Sequence, residues 1–155
     1  MSIDLGLHTV NGKIAYHITD EVLVIGKVYD TKDIDRQIGE GSDKFHIEKV
    51  AEIYRISQRN IHNKDYPSRY SSLFVCDEEN VRYWYNIFTK PLYNAHRTFT
   101  IYKVLLTGKL LGTYADYLKA DMYWEPTGQF DLQEKEGVFE GEYEVLDICN
   151  IDDFH

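Results

Sequence analysis

Two carboxylates separated by one residue, Glu142 and Glu144, lie in a strand-like run near the C-terminus, and a histidine, His17, lies in another far upstream. Alternation along a strand places Glu142, Glu144, Leu146 and Ile148 on one side. Like charges sharing a face repel, so folding has no need of the pair, whereas chemistry on a sugar-bearing ligand does. A carboxylate accepting a hydrogen bond from a sugar hydroxyl stabilises an oxocarbenium-like transition state as a glycosidic C–N bond breaks. The imidazole of His17 can hold ribose hydroxyls, and the guanidinium of Arg69 offers paired donors to a pyrophosphate. Ser72 can floor a cleft, and the ring of Tyr102 or Tyr123 can stack on a flat base. Each residue also has a plainer reading. The glutamates can be solvated on an edge strand, where charge discourages sheet-to-sheet association. His17 can be satisfied at a strand end, Arg69 can fix a turn, and Ser72 can be a small strand residue.

The elements that must position these side chains follow from period and punctuation. Residues 13–19 alternate as a strand, with Ile14, Tyr16 and Ile18 on one face and Ala15, His17 and Thr19 on the other. Residues 21–28, rich in Val and Ile, predict a second strand. Ser42 caps a helix carried to about residue 60 by Ile47, Val50, Ala51 and Tyr54. Pro67 stops any helix before Arg69, and 71–76 predicts a short buried strand. Asp77 caps a second helix with the stripe Val81, Trp84, Tyr85 and Phe88, ended by Pro91. Residues 98–106 predict the longest strand. Thr113 and Asp116 resemble a capping box opening a short helix to about Met122. The aperiodic stretch 125–140 reads as a loop, and 142–149 as the last strand. The expected class is α+β in a single domain over 1–155, with four to six strands and two or three flanking helices.

With 155 residues the chain can bury a real core, and its 13 Tyr, 7 Phe and 2 Trp argue against disorder. The net charge of −9 is concentrated, since residues 131–155 hold nine acidic side chains against Lys135 alone. Such a surface disfavours non-specific nucleic-acid binding and favours a basic protein partner. Arg55, Arg59, Lys64 and Arg69 make the stretch after the first helix locally basic. A solvated face accounts for that, or a phosphate-bearing ligand. Cys76 and Cys149 read as buried thiols of an intracellular protein. The histidines lack metal-ligand spacing, and Gly39-Glu40-Gly41 falls short of a phosphate loop. No apolar run approaches the ~20 residues that span a bilayer, so the expectation is a cytoplasmic protein without a membrane partner.

A family resemblance adds to this reading. The run Tyr66-Pro67-Ser68-Arg69-Tyr70-Ser71-Ser72-Leu73-Phe74, followed by a helix with Trp84, resembles the central segment of small ADP-ribosyltransferase-like proteins. Tyr16-His17-Ile18-Thr19 is similar to their first-strand histidine motif. Tyr123-Trp124 and Tyr143-Glu144-Val145-Leu146 resemble the distal part of a bacterial and phage-associated branch that includes toxins. The resemblance covers roughly residues 14–148. It implies a split β-sheet core that binds NAD in a cleft and transfers ADP-ribose to a macromolecular acceptor, protein or nucleic acid. It implies a first-strand role for His17 and the catalytic glutamate role for Glu144. Glu142 matches the Glu-x-Glu arrangement of arginine-modifying branches, although His17 stands where those carry arginine. Tyr70, Tyr83 and Tyr102 are the alternatives for the middle tyrosine. The other class of function is a non-catalytic acidic interaction protein or inhibitor, binding through Glu134, Glu136 and Glu140.

Overall fold

Three long strands with alternating apolar residues organise the chain. A computed structural model describes residues 3–34, 45–90, 97–114, 124 and 135–155. Strand β1 is Gly6–Thr19, β2 Val28–Asp30, β3 Leu73–Val75, β4 Thr100–Tyr114 and β5 Lys135–Cys149. Helix α1 is Phe45–His62 and α2 is Val81–Phe88. Every ladder among these strands is antiparallel, in the order β1-β4-β5-β2, with β3 also paired to β5. The described elements form one small α+β domain of five strands and two helices.

The sheet curls on itself. On its free edge, β5 takes β3 near its start, through Leu73 opposite Phe139, and β2 farther along, through Tyr29 opposite Tyr143. Cys76, just past β3, then bridges Tyr16 of β1, with paired backbone bonds of 2.9 Å each way. The inner face holds Ala15, Leu73, Val75, Tyr102, Val104, Leu106, Leu110, Phe139, Tyr143 and Val145, the main core. Outside, α1 covers Leu111 and Val138 through Ala51, with Tyr66 and Trp124. At the other end α2 and Phe154 cover Ile18, Cys76 and Ile101. Each fully buried aliphatic side chain contributes roughly 1.5–3 kcal/mol.

The tight curl needs two glycines. Gly108 and Gly141 face each other across β4 and β5, with φ of 153° and 148°. A Cβ on Gly108 would collide with the Glu140 carbonyl. Only glycine permits both the backbone angle and the approach.

Several expected elements are corrected. β1, β4 and β5 all extend beyond the predicted 13–19, 98–106 and 142–149. Residues 135–140, expected in a loop, are strand; buried Glu136 interrupts the apolar pattern that would have marked them as one. Thr113 is a fully buried residue of β4 opposite Glu136, and the helix expected after it lies outside the described residues. Residues 21–27 form a loop in place of the expected strand. The Leu23 amide donates to the Tyr102 hydroxyl and the Val24 amide to the Tyr29 hydroxyl, both at 3.0 Å. Gly26, at φ 87°, turns the chain into β2. Asp77 stands at the helical turn before α2, but its carboxylate accepts from the Ile3 amide and the Asn80 side chain and makes no cap. Ser42, Asp116 and Met122 lie outside the described residues.

Candidate functional site

The imidazole of His17 sits where the curled sheet opens. His17 follows the Tyr16–Cys76 bridge on β1, and its Nδ1 lies 2.8 Å from the Phe74 carbonyl. A carbonyl only accepts, so Nδ1 carries the hydrogen. The Phe74 carbonyl thus bonds a side chain where β3 meets β1, and the described pairing between those strands is confined to the single bridge. Between the strands lies a cleft of about 720 Å³. His17, Leu73 and Tyr143 reach it from the inner face, Phe88 and Phe99 form an aromatic wall, and Asp33 stands near its rim. The two phenyl rings stack with centroids 6.0 Å apart. A cation stands at the mouth as well: Arg97 Nε donates to Asp20 at 2.9 Å, with its side chain 59% exposed. The volume is in the range of small-molecule and cofactor sites, about 300–1,000 Å³.

A narrow apolar slot adjoins the cleft, sharing Ile18, Phe74 and Phe88 with it. Tyr16 and Trp84 complete its walls, and Glu136 lines it as the one carboxylate. Burial, then the Glu78 carboxylate, pushes the Tyr16 hydroxyl upward, so that ring stays neutral. Burial pushes the Cys76 thiol far above its ordinary range, with Asp77 adding to it. This thiol is a core residue and an inert nucleophile.

The structure brings only part of the sequence-predicted set together. His17 lines the cleft. Tyr102 is paired with His17 across the ladder, but it is buried and its hydroxyl also donates to the Glu21 carbonyl at 3.4 Å. It is a core residue outside the cleft lining and offers no face for a base to stack on. Arg69 is 2% exposed, with Nη1 2.9 Å from Glu136 Oε1 and its guanidinium 4.6 Å above the Phe74 ring. It therefore stands behind Phe74, away from any pyrophosphate in the cleft. Ser72 is fully buried beside that turn. Tyr123 lies outside the described residues.

Glu142 and Glu144 do not meet His17. His17 pairs with Tyr102, Tyr102 shares a face with Val104, and Val104 pairs with Val145. Glu144, next to Val145 in an extended strand, points to the other face, as does Glu142. Only the residue between them, Tyr143, enters the cleft. A bulge opposite Lys103/Val104 also breaks the expected alternation beyond Glu144, setting Ile148 opposite Tyr102.

Sequence reasoning missed Phe88, Phe99, Arg97, Tyr143 and Glu136. The two phenylalanines lie eleven positions apart in sequence and share no period. Glu136 carried a readable signal, a lone acid ahead of Gly137-Val138-Phe139, but its partner Arg69 is 67 residues away. A family described as a protein of unknown function (DUF2441) matches residues 14–151. The chain belongs to the DUF2441 family. The DUF2441 match spans every cleft residue named above, from His17 to Tyr143. No curated protein matches the chain.

Proposed function

We propose that the cleft binds NAD and that the protein is ADP-ribosyltransferase-like, a split-sheet fold transferring ADP-ribose to a macromolecular acceptor. The observation that carries this reading is the parting of β1 and β3 at His17, which leaves a concavity with an imidazole on one wall and stacked aromatic rings on another. His17 would hold ribose hydroxyls, and Phe88 and Phe99 would receive a flat ring. Arg97, at the mouth, is better placed than Arg69 to meet the pyrophosphate. Asp20, Glu21 and Asp33 line the cleft itself, and Glu136 lines the slot beside it; in this proposal Glu136 replaces Glu144 as the group that stabilises the ribosyl cation. Glu142 and Glu144 then belong to the outer surface.

Turnover of NAD, by hydrolysis or transfer, tests this division. Glu136→Gln should reduce it at least about a hundredfold, the scale of one lost electrostatic contact to the transition state. Glu144→Gln should stay within about twofold, because its side chain is on the far face. Lost turnover in Glu144→Gln with wild-type turnover in Glu136→Gln would reject the assignment. Melting curves of both variants separate lost chemistry from lost fold.

A second reading has its own observation. Glu140, Glu142 and Glu144 share the outer face of β5, and Asp30 of β2 stands opposite Glu142. This row suits a basic protein partner, bound without catalysis. Glu136 has no place in it, being buried against Arg69. Binding through the row would weaken steeply with salt and be indifferent to NAD.

A further inference from the structure

The basic stretch after α1 divides in space. Arg69 turns into the protein, whereas Arg55 and Arg59, one helical turn apart on α1, converge on a hollow of about 450 Å³. This hollow is separate from the cleft. Its other walls are the turn carrying Ser68 and Ser71, the end of β2 with Asp30 and Thr31, and β5 at Glu140 and Gly141. Arg55 is held by Glu52 at 3.0 Å and by the Tyr66 carbonyl at 3.4 Å, so its position is fixed in advance. Arg59 has no ion-pair partner among the described residues. Asp65 also lines the hollow, where both guanidinium charges act on it; Lys109 binds it at 2.6 Å and stands 4.0 Å from Glu140, leaving the Glu140 oxygens largely uncommitted. Asp30 accepts from the Lys32 amide at 2.9 Å through Oδ1 and has the Lys32 ammonium 3.9 Å from Oδ2.

The hollow is therefore mixed in charge: the guanidinium donors and the Ser71 hydroxyl stand with the Lys109-bound Asp65, and the Asp30 and Glu140 carboxylates face them with Lys32 beside Asp30. We propose that it is a second ligand site, for a phosphorylated sugar. The phosphate lies against Arg55 and Arg59, where planar donors match its oxygens. The sugar hydroxyls donate to Asp30 and Glu140, which accept hydrogen bonds and repel the phosphate, fixing the ligand's direction. The site is independent of whether the cleft binds NAD.

The test is titration of the full chain with ribose 5-phosphate, ribose and inorganic phosphate, followed by amide NMR. Ribose 5-phosphate should bind more tightly than either fragment and shift the amides of Arg59, Ser71 and Gly141. Arg59→Gln, on an exposed helix position, should weaken binding about tenfold, the loss of one charge-assisted contact. His17→Ala should leave it unchanged. No shifts with ribose 5-phosphate, equal binding by Arg59→Gln, or phosphate binding as well as the sugar phosphate would each overturn the proposal.

Discussion

Glu136 and Arg69 show how a residue's surroundings decide its role. Both are nearly excluded from water, at 6% and 2% exposure, so each needs the other. Removing one partner strands a buried charge at a cost of about 3–5 kcal/mol, whereas replacing both with apolar groups can be close to neutral. Arg69→Met should therefore lower unfolding stability by roughly 3 kcal/mol, and adding Glu136→Met should recover part of it. Chemical denaturation of the two variants checks this, and additive losses would contradict it. His17 was readable from the alternation of its strand. Arg69 was not, because a guanidinium after a proline turn looks the same in sequence whether it faces solvent or a carboxylate many residues away. Glu142 and Glu144 were read on the same face, as the structure has them. Which face could not be read, since that depends on β4 lying between them and His17 in the ladder.

At the scale of elements, the loop 21–27 carries the clearest consequence. Its aliphatic sequence predicts a strand, yet Val22 is 90% exposed. Hydroxyls of two core-facing tyrosines hold its amides, and Gly26 donates to the Val145 carbonyl at 2.7 Å. Propensity lost here to tertiary hydrogen bonds that no local pattern encodes. Tyr102→Phe removes the hydroxyl that bonds both Leu23 and Glu21, and should cost about 1–2 kcal/mol. Hydrogen exchange at the Leu23 amide should accelerate while the α2 amides stay protected. Unchanged exchange at Leu23 would contradict the stapling. The helices were readable because each carries a continuous stripe. The early half of β5 was not, since Glu136, Gly137 and Gly141 replace the apolar residues that alternation would need.

The whole molecule combines a curled antiparallel sheet, an open seam and an acidic outer face. Among the described residues no helix is long and apolar enough to cross a membrane. One surface tether has a defined pH signature. Lys109 holds the Asp65 carboxyl below its ordinary range, chiefly through their hydrogen bond. A lowered folded-state value means stability that is present above the unfolded value of about 3.9 and is lost as pH falls through the folded one. Asp65 is well exposed, so solvent screening limits the effect to a few tenths of a kcal/mol. Lys109→Met should remove that part of the acid-side slope, and an unaltered slope would show the tether to be idle. The class of fold followed from element count and order. The closure of the sheet did not, because it depends on one bridge between Tyr16 and Cys76, far apart in sequence. The central claim, a dinucleotide cleft at the His17 seam, is tested most directly by melting wild type and His17→Ala with and without NAD. At about 100 times its dissociation constant, NAD should stabilise the wild type by about 2.7 kcal/mol, raising Tm by roughly 5–10 °C. The same concentration should shift His17→Ala much less. No NAD-dependent rise in the wild type, or an equal rise in the variant, would contradict the account.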